Sequence, residues 1–301
     1  FHVDSHQVRP GWKGRREAEL NELRLRLATM VHDVGRGRIA CAFNATVYRD
    51  TLDDVPMLAQ WAQDHMDIVQ SMVFILFRSA RKRGGFDAYV HGQPVDLGDV
   101  VYYLENREGH RDIVAQEVVD VLRRAYPSFE PCAYLNGSED ADTFKWLLAL
   151  RMGNAERIDG YGDARLMEWV QTVHHRRRGT YLAYTRPWLL RSAWTILPLA
   201  AISAGVRRGM WRRFRQPRGW FSPLRLQSIM IIQPCDLLPD GRQNMCDGCP
   251  DAIPYEGRLV WSCRIDELQK FGALVTFVPK ERTARPNLAP PDGRQGPRTD
   301  G

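Results

Sequence analysis

Four of the six cysteines of this 301-residue chain fall within residues 234–267, where Cys235, Cys246, Cys249 and Cys263 follow the spacing C-x10-C-x2-C-x13-C. Thiolates are the ligands of zinc, of a single iron and of iron–sulfur clusters, and the spacing alone does not choose among them. The run Cys246-Asp247-Gly248-Cys249 puts two sulfurs on one tight turn, with Gly248 free to take the positive φ that such a turn needs. The competing reading is two disulfides. No stretch reads as a secretion signal, so the cysteines are expected in a reducing compartment, where a C-x2-C pair serves metal binding or redox chemistry. Cys41 and Cys132 stand alone and read as buried thiols.

A second set of polar residues gains meaning from the elements that would carry it. From Arg15 to Val34 the apolar residues Leu20, Leu23, Leu27, Met30, Val31 and Val34 recur at intervals of three and four, which predicts an amphipathic helix. Residues 38–48, rich in β-branched and aromatic side chains, predict a strand. Thr51-Leu52-Asp53-Asp54 is an N-capping sequence with acidic side chains at the positive end of a helix dipole, and Pro56 fits that first turn. Residues 67–77 form a near-continuous apolar run, as in a strand buried on both faces. With His2 to Ser5 ending an earlier strand, residues 1–77 alternate strand and helix in the order of βαβ units, so the fold class is α/β with a parallel sheet. Asp4, Ser5, Asn44 and Thr46 then lie toward the carboxyl ends of strands, where parallel sheets bind ligands.

Beyond residue 78 the regularity weakens. A basic, glycine-ended break at 78–85 leads to strand-like fragments at 86–90 and 101–104. Helices are predicted at 112–126, 140–151 and 164–177, the last closed by His174, His175 and Arg176 to Arg178, cations suited to a helix C-terminus. Within residues 188–214 an apolar helix from Ala193 to Val206, too short to span a bilayer, is bordered by Arg207, Arg208, Arg212, Arg213 and Arg215 with Trp211 and Phe214 among them. It reads either as a buried helix with an exposed basic end or as an element lying on a membrane surface. A strand at 224–232, the cysteine segment, a helix at 265–271 and a strand at 273–278 follow, and the residues from 280 onward have Pro and Gly without periodicity and predict disorder. The expected organisation is an α/β unit over 1–85, an α-rich region over 86–222, a cysteine-rich unit over 223–279 and a tail over 280–301.

A net charge of +6 and a pI near 9.1 suit nucleic acid, anionic lipid or a phosphorylated substrate without choosing among them. No RNA-binding motif accompanies the arginine and tryptophan stretch, so no nucleic acid is expected. No run reaches the ~18 apolar residues of a membrane span, and a cytoplasmic protein with peripheral contact on the inner membrane face is expected. The chain opens at Phe1 directly on a strand pattern, which reads as the interior of a longer protein.

The phrases HVDSHQVRPGW, FNATVYRDTLDDVP, MVFILFRSAR and MCDGCP followed by EGRLVWSCRIDE are similar to the radical S-adenosylmethionine superfamily, in the branch of tetraether lipid synthases and class D methyltransferase-like proteins. The resemblance implies the second half of a partial (β/α) barrel followed by a small cysteine-rich metal-cluster domain. It implies reductive cleavage of S-adenosylmethionine to a 5′-deoxyadenosyl radical for C–H activation on a small-molecule or lipid substrate, with electrons from ferredoxin or flavodoxin. On positions that match the barrel, Asp4, Ser5, Arg9, Asn44 and Thr46 become the candidate S-adenosylmethionine contacts. Cys235, Cys246, Cys249 and Cys263 would hold an auxiliary 4Fe–4S cluster. The superfamily's C-x3-C-x2-C loop does not occur within these 301 residues. The four cysteines are fewer than in peptide-modifying members, which points away from a peptide substrate. The alternative is a zinc-stabilised binding module that uses the same four thiolates and has no catalytic activity.

Overall fold

A computed structural model describes residues 1–7, 9–78, 85–98, 100, 113–180, 193–216, 219–247 and 252–280. The predicted strand fragment at 101–104, Gly248, Cys249 and residues 281–301 lie outside these. Helix α1 (Asn21–Gly35), strand β1 (Ala42–Val47), helix α2 (Val55–Asp64) and strand β2 (Ser71–Leu76) follow in the predicted order, and β1 pairs with β2 in parallel. Residues 1–3 run parallel to β1, with the Val3 N–H donating to the Asn44 carbonyl at 2.9 Å and the Asn44 N–H to the Phe1 carbonyl at 2.7 Å. The Thr51 hydroxyl does not cap α2: it accepts from the Tyr48 N–H at 3.0 Å, and a 3-10 turn over Leu52–Asp54 opens the helix instead.

Two short strands, β3 (Phe86–Val90) and β4 (Gln93–Pro94), precede helix α3 (Ala115–Ala125) and strand β5 (Ala133–Asn136). The predicted helix at 140–151 is a strand, β6 (Phe144–Gly153). Its consecutive apolar residues serve two faces: Lys145, Leu147, Ala149 and Arg151 are buried while Trp146, Leu148 and Leu150 are half-buried, the period-2 alternation of a strand. Strand β7 (Ile158–Tyr161) and helix α4 (Ala164–Arg178) follow. The apolar stretch from Ala193 to Val206 is not one helix. A 3-10 segment, Ala193–Ala201, contains Pro198, and helix α5 (Ala204–Phe214) starts afresh at Ser203, whose hydroxyl accepts from the Val206 N–H at 3.1 Å. Strand β8 (Arg225–Ile232) closes the series.

The main sheet is mixed. Strands run β1-β2-β8-β6-β5, with β7 also on β6; β1, β2 and β8 are parallel, and β6 runs antiparallel to β8, β5 and β7. Strands β5, β6 and β7, from the region expected to be α-rich, thus share one sheet with those of residues 1–85, and among the described residues no closed barrel forms. Helices α2 and α3 cover one face, where Phe43, Ala45, Phe74, Ile229, Ile231, Leu147 and Ala149 are buried with Trp61 and Val118. Gln227 and Arg151 reach from that face to the end of α2, Gln227 donating to the carbonyls of Ala62 and Val69 at 2.6 and 2.7 Å and Arg151 to that of Ala59 at 2.8 Å.

On the opposite face, register aligns Thr46, Ile75 and Ile232, then Met230 with Leu148 and Ile232 with Trp146, and all of these remain half-buried. A second cluster, Met152, Leu226, Leu166, Val206 and Met210, covers that face only toward the amino ends of the parallel strands. Beyond the sheet, β9 (Asp236–Leu237) and β10 (Gln243–Asn244) form one small hairpin, and β11 (Ala252–Tyr255) with β12 (Arg258–Trp261) forms another. Helix α6 (Ile265–Phe271) and β13 (Thr276–Pro279) follow, β13 pairing with β3. Among the described residues no helix is long and apolar enough to cross a membrane.

Candidate functional site

Polar side chains gather at the carboxyl edge of the parallel strands. Asp4, immediately after the first extended segment, is buried. It meets the His2 Nε2 at 2.8 Å and accepts from the main-chain N–H of His6 at 3.1 Å and of Thr46 at 3.3 Å. The same His2 nitrogen lies 2.9 Å from the Thr46 hydroxyl. Burial pushes the Asp4 carboxyl up, but the hydrogen bond and charge of His2 and the Thr46 N–H outweigh it and hold Asp4 below the ordinary carboxylate value. Arg9 donates to the His2 carbonyl and, at 3.0 Å, to Gln7. The Ser5 N–H donates to Glu17, which is buried in an ion pair with Arg24.

The five predicted residues therefore divide. Asp4 and Arg9 spend their polar atoms on shaping the loop. Among the described residues, the Ser5 hydroxyl and the Asn44 amide have no protein hydrogen-bond partner, and Asn44 and Thr46 sit half-buried on the open sheet face.

A second polar knot, absent from the sequence-based expectations, stands at the same edge. Asp236 follows β8 and is held by Lys145 at the start of β6 and by Arg78 just after β2, with the Gln233 side chain donating to it at 2.8 Å. Lys145 is fully buried and also donates to the Pro234 carbonyl at 2.9 Å. Desolvation raises the Asp236 carboxyl, and the charges of Lys145 and Arg78 overcome it and bring its pKa down. Gln233 accepts from the Ala115 N–H at 3.0 Å, and Arg78 donates to the Ile113 carbonyl at 3.1 Å, which fixes the start of α3 to this knot. The sequence did hold one signal: Lys145, one of only five lysines, sits within an apolar run.

The cysteine segment is built on this edge. Cys235 is buried beside Asp236, its thiol donating to the side-chain amide oxygen of Gln243 at 3.4 Å. Burial first, and then the charge that a thiolate at Cys263 would carry, pushes its pKa up to about 12, with Arg264 and Lys145 pulling the other way. Cys246 bridges to Gly137 in the β5–β6 turn, where the Asp247 N–H donates to the Asn136 carbonyl at 2.9 Å and the Asn244 side chain accepts from the N–H groups of Glu139 and Asp140 at 3.1 Å. A Cβ at Gly137 would stand 2.1 Å from the Asn244 side chain, so only glycine admits this contact. Cys263 lies in a 3-10 turn, Ser262–Arg264, anchored by the buried pair of Arg264 and Glu267. The donor chemistry of these cysteines fits a thiolate-held metal. Among the described residues, which omit Cys249, no three His, Cys, Asp or Glu side chains yet converge on one point.

The arginine border of the apolar stretch requires correction. Arg213 is buried against Asp159 at 2.6 Å and donates to the Pro223 carbonyl at 2.8 Å, so it is a core anchor and not a surface cation. Around it Trp194, Phe214 and Trp220 stack, with Phe214 and Trp220 ring centres 4.0 Å apart, and Phe221 is 92% exposed.

Two outcomes follow. Asp236→Asn leaves Lys145 and Arg78 without their counter-charge and should lower stability by about 3–5 kcal/mol, read as the urea midpoint at pH 7. Asp4, whose folded pKa is depressed, stabilises the fold above its unfolded value near ~3.9 and loses that contribution as pH falls toward its folded value. Acid titration of stability should therefore be flatter in Asp4→Asn than in the parent, and identical slopes would show that the His2 and Thr46 contacts do not act on Asp4. Comparison with protein families, curated proteins and solved structures finds no match for this chain.

Proposed function

We propose that the chain is the second half of a partial (β/α) barrel and a cysteine-rich cluster domain of a radical S-adenosylmethionine enzyme that acts on a lipid or another long apolar substrate. The observation that carries this reading is that Cys235 with its buried charge knot, at the exit of β8, stands at the same carboxyl edge as Ser5 and Thr46, the place where parallel α/β sheets bind ligands. In this reading Ser5, Asn44 and Thr46 hold the polar groups of S-adenosylmethionine, and Asp4 and Arg9 position their loop. Cys235, Cys246, Cys249 and Cys263 hold an iron–sulfur cluster, supplied with electrons by a ferredoxin or flavodoxin. When bound, cluster and S-adenosylmethionine supply the radical chemistry that opens an unactivated C–H bond. The protein's share is orientation and dryness: Ile75, Trp146, Leu148, Met230 and Ile232 offer an apolar lane on the open sheet face along which a long hydrocarbon would lie.

Anaerobically purified protein reconstituted with iron and sulfide should turn brown, with broad absorbance near ~400 nm, and melt at a higher temperature. Cys249→Ser should lower iron content and melting temperature together. A colourless protein with one bound zinc would favour the binding module, and metal content unchanged in Cys249→Ser would remove the four-thiolate assignment.

The aromatic stack supports peripheral docking on the cytoplasmic face of an anionic membrane, since Trp220, Phe221 and Trp211 are exposed beside Arg207 and Arg215. Wild-type protein should sediment with anionic vesicles at low salt and be released at high salt. Phe221→Ser combined with Arg207→Gln and Arg215→Gln should abolish sedimentation, each arginine contributing about 1 kcal/mol. Indifference to both anionic and neutral vesicles would return the stretch to a purely structural role.

A further inference from the structure

At the opposite, amino edge of the sheet a separate cleft of about 380 Å³ opens between α5, β7 and the loop that joins α3 to β5. Its making begins with glycines. Gly205 and Gly209, one turn apart on α5, bring the helix backbone against β7: a Cβ on Gly160 would stand 2.8 Å from the Gly209 Cα, and one on Gly205 would stand 2.3 Å from the Tyr161 carbonyl. This close approach sets Arg208 and Arg212, also one turn apart, along one wall of the cleft, and Arg123 from the end of α3 lines the other side. Two of the three guanidiniums are aimed by single main-chain bonds. Arg212 donates to the Asp159 carbonyl at 3.4 Å and Arg123 to the Phe129 carbonyl at 3.3 Å, which leaves the rest of each fork free.

Among the described residues no carboxylate pairs with Arg123, Arg208 or Arg212, although Glu130 lines the cleft. The nearby acid Asp159 is committed to Arg157 and Arg213. The N-terminus of α5 is already satisfied, its Gly205 N–H donating to Asp163 at 2.7 Å, so the positive field comes from the arginines and not from the helix dipole. Three guanidiniums facing one carboxylate in a concave site match an anion with several acceptor oxygens. The volume exceeds what a bare tetrahedral anion needs, which leaves room for an ester group against Tyr161 and Phe129.

We propose that this cleft is a binding site for a phosphate monoester, held by Arg123, Arg208 and Arg212. The proposal does not rest on the cysteine site or on the radical reading. Inorganic phosphate titrated into the full chain, with metal content held constant, should give saturable binding by calorimetry that chloride at equal ionic strength does not reproduce. Arg208→Gln and Arg123→Gln, both at exposed side chains, should each weaken it about tenfold or more with melting temperature unchanged. Vesicles separate the two sources of the group. If phosphatidic acid vesicles bind wild type, are competed by phosphate and fail to bind Arg208→Gln, the ester is a lipid headgroup. If phosphate and a soluble sugar phosphate bind while the same substitution leaves vesicle sedimentation intact, it is a soluble phosphate ester. Absence of saturable phosphate binding, or equal binding in wild type and both variants, overturns the proposal.

Discussion

A carboxylate taken out of water must be met by positive charge, and Asp236 meets that demand by drawing three parts of the chain to one point. Lys145 comes from the first turn-side position of β6, Arg78 from the end of β2, and Asp236 itself from the exit of β8. Neither cation can be withdrawn without leaving the other charges short, because Lys145 is wholly buried. The cysteine segment begins at the residue before Asp236, so the path of Cys235 is set by the same ion pairs that fix the strand ends. The position of Cys235 is in this sense a consequence of sheet electrostatics.

The opposite face of the molecule obeys a second constraint, close backbone approach. Gly160, Gly205 and Gly209 let α5 lie directly on β7, and that proximity lets Arg213 reach Asp159 in the interior. With Arg213 turned inward, the remaining arginines of α5 and the Trp211 indole are left on the outside. The two edges of the sheet therefore differ in character: Asp236 with its two cations and Cys235 at the carboxyl edge, and at the amino edge stacked rings beside guanidiniums that, among the described residues, pair with no carboxylate. The half-buried apolar face of β2, β8 and β6 runs between them.

Much of the α/β part was legible in the sequence because the helical repeat of α1 and the apolar run of β2 are local signals; β2 is buried as expected, whereas α1 turns Leu20, Arg24 and Ala28 inward and leaves Met30 and Val34, counted on its apolar face, exposed. The same reading failed at β6, where Trp146 to Leu150 are apolar without interruption and carry no period at all; the structure distributes them over two half-covered faces. It failed at 193–206, where Pro198 sits inside a run that hydropathy alone reads as one helix. The expectation for Asp4, Ser5, Asn44 and Thr46 rests on their place along strands, a local signal, and the structure puts Asp4, Ser5 and Thr46 at or near strand ends and Asn44 in mid-strand. The partners Arg78, Lys145 and Asp236 were missed because their association spans 158 and 91 residues of chain, and no local periodicity reports on it.

Burial is what separates residues of the same type in this fold. Arg213 and Arg212 are neighbours in sequence, yet one completes an interior ion pair and the other lines an open cleft, since a single step along α5 rotates the side chain from β7 toward solvent. The same holds at the carboxyl edge, where Asp4 is consumed by the loop it organises and Asn44, whose backbone pairs with the adjoining extended segment, keeps its amide free on the sheet face. Polar residues whose atoms are already satisfied shape the site. Asn44 is half-buried on the sheet face and its amide has no protein partner among the described residues, so any ligand that desolvated it would have to supply one.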